Sequence, residues 1–229
     1  MSYTTTPCGS PPAAPAVLVK KIETSPLKHK KRIQRLKRKL SAFVKEHGRM
    51  AKKHGLYAVA LTLTYRPGDE PSGKHVSSLL DKLRAKLKRM SKPLLYVWTL
   101  ERSAAYHYHL MIWLPRGIRL EQKQLTRWWT HGFSDAEACR STFRWAKYIG
   151  KSETKEGVAK GLRLFGAGGL DMEGEDAMRF AGLPRWLQCV LPVLSRPKRI
   201  PRVGWVDILT GELFICPYVW TSRGMRLRS

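Results

Sequence analysis

The spacing of apolar and polar residues divides the chain into segments of extended and of helical period. Residues 56–65 (LYAVALTLTY) alternate and are rich in β-forming side chains, which predicts a strand. Two more strands are predicted at 94–101 and 106–114, and the short connection Arg102-Ser103-Ala104-Ala105 joins them as a hairpin. Apolar residues recur at helical spacing from 75 to 90. The pattern therefore predicts an α+β fold, in which helices pack on a central antiparallel β-sheet.

The rest of the chain is predicted to contain helices, a glycine-rich segment and a closing hairpin. The expected helices cover residues 121–130, 135–151 and 173–182. Gly132 is expected to end the first of them, and Ser134 is a suitable N-cap for the second. The hairpin is expected over 203–220 and turns at Thr210-Gly211-Glu212.

The helix predicted at 135–151 has two different faces. The face expected to be buried carries Cys139, Thr142, Phe143, Ala146 and Ile149. Arg144, Tyr148 and Lys151 lie together on the opposite face, because they are four and three residues apart. Tyr148 is therefore not needed to fill the core, although a helix tyrosine is more often an interface side chain than a reactive group.

The composition then narrows the class of protein. The chain has 229 residues, and 43 Lys or Arg against 17 Asp or Glu give a formal net charge of +26. Such a charge indicates a polyanionic partner, with nucleic acid ahead of an anionic membrane surface. No segment approaches the roughly 18 apolar residues of a membrane helix, and the N-terminus lacks a signal-peptide pattern. The four cysteines contain no CxxC pair. We expect a cytoplasmic protein that binds nucleic acid and no membrane.

Much of the positive charge lies in residues 20–53, where fourteen Lys or Arg and two Glu give a net charge of +12. Within this stretch a thin apolar stripe recurs at helical spacing: Ile33, Leu36, Leu40, Phe43 and Val44. The predicted helix can be a solvated element docked on the domain, a clamp on DNA phosphates, or both. The cations expected to contact DNA are Lys30, Lys31, Arg32, Arg35, Lys37, Arg38 and Lys39, with Arg144 and Lys147 later in the chain.

Candidate metal ligands occur in the predicted hairpin of residues 94–114. His107 and His109 are two residues apart on a strand, so both imidazoles project from the same face. Glu101, at the end of the paired strand, is the natural third ligand. Two imidazoles and a carboxylate suit Mn²⁺ or Mg²⁺ in phosphate chemistry, although imidazole also accepts Zn²⁺ or Fe²⁺. A histidine pair of this spacing can equally be partly exposed without any ligand.

A metal and a basic surface together indicate phosphodiester chemistry, which requires a nucleophile. Tyr148 is the best candidate in the sequence, because Arg144 and Lys151 share its helix face. These cations can balance the charge of a scissile phosphate and favour a phenolate over a phenol of pKa about 10.

Taken in order, these motifs resemble those of the HUH endonuclease superfamily. The greatest resemblance is to the rolling-circle replication initiators of filamentous phages and related plasmids. Leu61-Thr62-Leu63-Thr64-Tyr65 resembles the first motif of that family, and His107-Tyr108-His109 resembles its metal motif. Tyr148-Ile149-Gly150-Lys151 resembles its nucleophile motif. The resemblance covers residues 56 to 151.

The resemblance implies a metal-dependent enzyme that nicks and rejoins DNA at a replication origin. His107, His109 and Glu101 would hold Mg²⁺ or Mn²⁺, and Tyr148 would attack the scissile phosphate. The products would be a 5′-phosphotyrosine link and a free 3′-OH that primes synthesis, with Lys151 orienting the phosphate. Some initiators of phages carry two nucleophilic tyrosines on one helix turn, but the position four before Tyr148 is Arg144, which predicts a single-tyrosine enzyme.

The resemblance also implies a ferredoxin- or RRM-like core, the bacterial host cytoplasm as location, and particular partners. These partners are single-stranded or hairpin origin DNA, a host helicase and a polymerase. The expected organisation is a flexible tail (1–19), a basic helical extension (20–55), the endonuclease core (56–155) and a C-terminal extension (156–229).

Three alternatives remain open at the level of the sequence. A single-tyrosine transposase and a relaxase would use the same chemistry. A non-enzymatic protein that binds nucleic acid would leave His107, His109 and Tyr148 dispensable and far apart.

Overall fold

A computed structural model describes residues 26–149, 158, 161–222 and 224–228. In these residues a five-stranded antiparallel sheet has the strand order β4-β1-β3-β2-β5. Its strands are β1 (Leu56–Tyr65), β2 (Tyr96–Arg102), β3 (Tyr106–Pro115), β4 (Gly132–Ala138) and β5 (Phe165–Gly168). The α+β class and the antiparallel sheet are thus as predicted, and the three predicted strands form its middle.

Six helices accompany this sheet within the described residues. They are α1 (Pro26–His54), α2 (Gly73–Lys88), α3 (Gln122–Trp128), α4 (Thr142–Ile149), α5 (Met172–Ala181) and α6 (Arg185–Gln188). None of the helices in this part of the chain is both long enough and apolar enough to cross a membrane.

The strand period of two separates the hydrophobic residues onto two faces of the sheet. On one face, side chains such as Leu61 and Leu63 of β1 pack with the apolar sides of α2 and α3. On the other face, Met111 and Trp113 of β3 pack with α1 and α4, and Leu40 of α1 is fully buried there. The basic helix α1 therefore contributes to the core of the sheet, as its apolar stripe suggested.

The helix predicted at 135–151 is wrong in its first half. Residues Gly132–Ala138 form β4, which pairs with the free edge of β1, and the helix begins only at Thr142. Ser134 is buried in this strand instead of capping a helix. The reason is tertiary: the unpaired backbone groups of β1 accept a further strand, and this pairing outweighs a weak helical pattern.

The start of β4 depends on Gly132, which was expected to end a helix. Gly132 has φ of 152°, and a Cβ there would collide with the carbonyl oxygen of Thr64. The close approach of the two backbones therefore requires glycine at this position.

The expected buried face of α4 is correct only in part. Ala146 and Ile149 are buried, whereas Phe143 is 68% exposed and Cys139 precedes the helix. The last predicted helical residues, up to Lys151, lie outside the described part of the chain.

The C-terminal region contains more strands than the sequence pattern predicts. Part of the glycine-rich segment forms β5, where a Cβ on Gly166 would collide with the Trp98 ring. The strands β6 (Pro197–Ile200), β7 (Gly204–Asp207) and β8 (Leu213–Phe214) form one small sheet. The strands β9 (Tyr218–Thr221) and β10 (Gly224–Leu227) form another. The predicted hairpin over 203–220 therefore exists at its turn, but its last residues pair with β10.

His47 of α1 is a buried polar group inside the core. Its Nε2–H donates to the carbonyl of Gly168 over 3.0 Å, and its ring lies 4.7 Å from the Trp113 ring. Nδ1 has no hydrogen-bond partner among the described residues. Burial, only partly offset by the bond to Gly168, lowers the pKa of His47 to about 4.

This histidine should make the protein less stable in weak acid. Between pH about 6.5 and about 4, His47 of the unfolded chain binds a proton and the folded His47 does not, so the free energy of unfolding falls as the pH falls. The full loss is about 3 kcal/mol. Denaturant unfolding of the wild type and of His47→Gln, measured across this window, should show that slope only in the wild type. Parallel pH profiles would contradict the assignment.

Candidate metal and nucleophile site

Three potential metal ligands converge at one end of the sheet, on the face that carries α1 and α4. The antiparallel register sets Glu101 of β2 directly opposite His107 of β3, and His109 is two residues further along. The Nε2 atoms of both histidines lie 4.0 Å from Oε2 of Glu101. All three ligand atoms are within 4.8 Å of one another. The side chains predicted from the sequence thus form one cluster.

The backbone and a neighbouring threonine orient the two imidazoles. Nδ1–H of His107 donates to the carbonyl of Ala105 over 3.2 Å, which directs Nε2 toward Glu101. Nδ1 of His109 lies 3.4 Å from the hydroxyl of Thr62, its register partner on β1. Histidines that bind metals through one nitrogen commonly fix the ring in this way through the other.

The cluster fits a divalent ion. Two ligand atoms about 2.1 Å from one ion stand roughly 3–4 Å apart, which agrees with the observed 4.0 Å separations. The side chains of Glu101, His107 and His109 are only 6%, 14% and 16% exposed, so a carboxylate is held in a nearly dry site where a cation would be favourable. The fully buried hydroxyl of Thr99, the register partner of His109, has no hydrogen-bond partner among the described residues. A water ligand of the ion would satisfy it.

Tyr148 of α4 lies beside this cluster. Its ring centroid is 6.3 Å from that of His109, in an edge-to-face arrangement, and the residue is 60% exposed. The burial of Ala146 and Ile149 fixes the helix on the sheet and leaves Tyr148 at the surface near the histidines. A residue from a later helix and a residue pair from a strand hairpin thus meet at one place.

The other tyrosines near the histidines in sequence do not share their face. Tyr106 and Tyr108 alternate with His107 and His109 along β3, and both are buried in the core on the side of α2. Burial raises the pKa of Tyr108, which disfavours its phenolate. Tyr148 is therefore the accessible tyrosine next to the cluster in the described part of the chain.

The predicted DNA-binding cations fall into three groups. Those with exposed side chains are Arg144 and Lys147 of α4 and Arg35, Lys37, Arg38 and Lys39 of α1. The backbone of Lys30, Lys31 and Arg32 belongs to α1, but their side chains lie outside the described part. Lys151 also lies outside the described residues.

A second histidine pair lies on the opposite side of the sheet. His75 and His131 stack with their ring centroids 3.7 Å apart, and the hydroxyl of Tyr65 lies 3.0 Å from Nδ1 of His75. Burial, and to a lesser extent the neighbouring His75, lowers the pKa of His131. The described residues provide no third ligand atom close to this pair, so it differs from the Glu101 cluster.

The sequence pattern did not identify Thr62 and Thr99 as parts of the site. Alternation placed each threonine on a face of its strand, but only the register of β1, β3 and β2 makes both of them partners of His109. A small hydroxyl side chain in a strand gives no signal of its own, because threonine is common in sheets.

Comparison with known families agrees with this arrangement. Residues 58–153 match a family model of replication-associated proteins, the ORF2 family. No curated protein and no solved structure gave a match. The matched residues run from β1 to the end of α4 and therefore include Glu101, His107, His109 and Tyr148. In this region the chain is similar to replication-associated proteins of that family, which is consistent with an initiator of rolling-circle replication.

Proposed function

We propose that this protein nicks and rejoins single-stranded DNA at a replication origin through a covalent 5′-phosphotyrosine intermediate. The observation that supports this most is the meeting of Tyr148 with a Glu-His-His cluster, at 6.3 Å between the rings of Tyr148 and His109. The family match at residues 58–153 and the net charge of +26 support a DNA substrate.

Glu101, His107 and His109 would hold Mg²⁺ or Mn²⁺. When bound, such an ion supplies Lewis-acid polarisation of the scissile phosphate. The chain's own contribution is to hold both Nε2 atoms and a carboxylate oxygen toward one point, through the bonds to Ala105 and Thr62.

Tyr148 would act as the nucleophile. Its phenolic oxygen attacks the scissile phosphorus, the bond from phosphorus to the 3′-oxygen breaks, and the phenolic proton is lost to solvent. The leaving 3′-oxygen takes up a proton and becomes the 3′-OH that primes synthesis. Attack by a 3′-OH on the phosphotyrosine reverses the steps and regenerates Tyr148, so no nucleotide cofactor is needed for joining.

Cations on α4 and after it would assist this step. Arg144 lies one turn before Tyr148, and Lys151 follows it by three residues. Positive charge at these positions favours both a bound phosphate and a phenolate. We assign the orientation of the phosphate to Lys151.

The biological setting follows as part of the proposal. A free 3′-OH at an origin would be extended by a host polymerase, with a helicase opening the duplex, in the cytoplasm of a bacterial host. A single-tyrosine transposase or relaxase would perform the same bond chemistry on another substrate. A non-enzymatic binder predicts no reason for Tyr148 to lie beside the histidine cluster.

Removal of a histidine should separate metal binding from DNA binding. In His107→Ala and His109→Ala the affinity for Mn²⁺, measured by calorimetry, should fall by at least about 10- to 100-fold, because a direct ligand is lost. Divalent-dependent nicking should disappear, while binding of single-stranded DNA in chelator stays within a few fold. His54→Ala, at the far end of α1, should leave all three properties unchanged. Equal loss of DNA binding and nicking would argue against a metal role.

Removal of one hydroxyl should abolish the covalent intermediate. Tyr148→Phe should fold, bind Mn²⁺ and bind single-stranded DNA as the wild type does. It should form no protein–DNA adduct on a denaturing gel with an origin oligonucleotide, a loss on the order of 10³-fold or more. Tyr218→Phe, at a partly exposed tyrosine of the C-terminal region, should retain the adduct. An adduct with Tyr148→Phe would identify another nucleophile.

The exposed cations of α1 should supply affinity that is independent of sequence. Because α1 also contributes core residues, substitution is a cleaner test than deletion of residues 20–53. Changing Arg35, Lys37, Arg38 and Lys39 together to Gln should weaken binding of single-stranded DNA. It should reduce the slope of log K against log salt by up to about 3, while the nicked position stays the same.

The matched control carries four exposed cations from α2 and its C-terminus, on the opposite face of the sheet. It changes Lys74, Lys82, Lys88 and Arg89 to Gln. Its salt slope should stay close to that of the wild type. Equal slopes for the two variants would reduce α1 to a structural role.

A further inference from the structure

The edge strand β4 presents side chains on the same face of the sheet as the metal cluster. In the register of the sheet, Phe133 lies opposite Thr64, and Thr64 lies opposite His107. These three residues form one row across β4, β1 and β3, and paired residues project to the same side. Two strand spacings separate Phe133 from His107, a distance of about 10 Å.

Phe133 is 65% exposed, which is unusual for an aromatic side chain held in a sheet. Its neighbour Ser134 points the other way and is buried, so the exposure of Phe133 follows from the strand alternation. Burying such a ring would favour folding, and the chain leaves it in water next to the candidate site. An exposed aromatic ring at this position is typical of a surface that binds a flat ligand.

The backbone under Phe133 is held firmly. The N–H of Arg66 donates to the carbonyl of His131 over 3.0 Å, and Gly132 lies against the carbonyl of Thr64 so closely that no Cβ fits. Phe133 is therefore a ring on a rigid strand rather than on a mobile loop. Little order has to be gained when it contacts a ligand.

The charges around Phe133 favour bases over phosphates. Asp135 and Glu137 follow Phe133 on the same face of β4, and both are exposed. These carboxylates repel a phosphate backbone but can accept hydrogen bonds from base amino groups. Arg144 and Lys147, which attract phosphates, are exposed on α4, the helix that carries Tyr148. A single strand would thus run with its phosphates toward α4 and its bases toward β4.

From these observations, and resting on the proposed function, we propose that Phe133 stacks on a base of the single-stranded DNA beside the scissile phosphate. Asp135 and Glu137 keep the phosphates away from β4. The sheet edge then acts as a platform that holds the strand in the orientation in which Tyr148 reaches phosphorus.

The test compares DNA with and without bases. The probes are a fluorescent single-stranded dT 20-mer and a fully abasic 20-mer, measured by anisotropy in chelator so that no cleavage occurs. Phe133→Ala should bind the dT 20-mer about 5- to 100-fold more weakly than the wild type, because one stacked base is lost. Its affinity for the abasic 20-mer should be unchanged.

Two further variants make the result specific. Phe143→Ala removes an equally exposed phenylalanine of α4 that lines a groove with α1, and it should alter neither affinity. Phe133→Trp keeps a ring and should bind the dT 20-mer at least as well as the wild type. The proposal is overturned if Phe133→Ala binds both probes like the wild type, if it loses both equally, or if Phe133→Trp loses as much affinity as Phe133→Ala.

The outcome can be distinguished from failure of the proposed function. Adduct formation by the wild type reports on Tyr148, whereas the two binding affinities report on Phe133 without any reaction. Normal adduct formation with unchanged dT binding by Phe133→Ala would overturn only the stacking. A base-dependent loss without any adduct in the wild type would support the stacking and count against the nicking chemistry.

Discussion

The antiparallel register of β1, β3 and β2 is the constraint on which the candidate site depends. It sets Glu101 opposite His107 and places Thr62 and Thr99 on either side of His109. Because a shift of one residue would send these side chains to the opposite face, the hydrophobic alternation of β3 fixes the site as well as the core. Tyr106 and Tyr108 are buried on one side, and the two histidines are held on the other.

The same sheet separates two kinds of work. Its α2 face is filled by apolar and aromatic residues that stabilise the fold. Its α1 face is core at one end, around Met111 and Trp113, and polar at the other. A strand that passes from a packed end to an open end can hold polar groups rigidly, because its buried half anchors it. This arrangement gives the histidine pair a fixed geometry without a long supporting loop.

Helix α1 combines two roles in one sequence. Leu40 and Val44 bury its apolar stripe against the sheet, while Arg35 and Lys39 remain exposed. The alternatives of a docked helix and a DNA clamp are therefore compatible, since each uses a different side of the helix. Docking holds the positive charge at fixed positions relative to the sheet, which makes it useful for steering a polyanion.

The sequence by itself determined the elements with strong periodicity: β1, the two strands of the hairpin, α2, and the ligand residues on β3. These followed from local alternation, which acts wherever one face of a strand is buried. The tertiary structure decided what depends on distant partners. Residues 132–138 became β4 because β1 had a free edge, and Phe133 was thereby exposed beside the site. The approach of Tyr148 to His109 depended on the docking of α4, which involves residues far apart in the chain and leaves no periodic signal in the sequence.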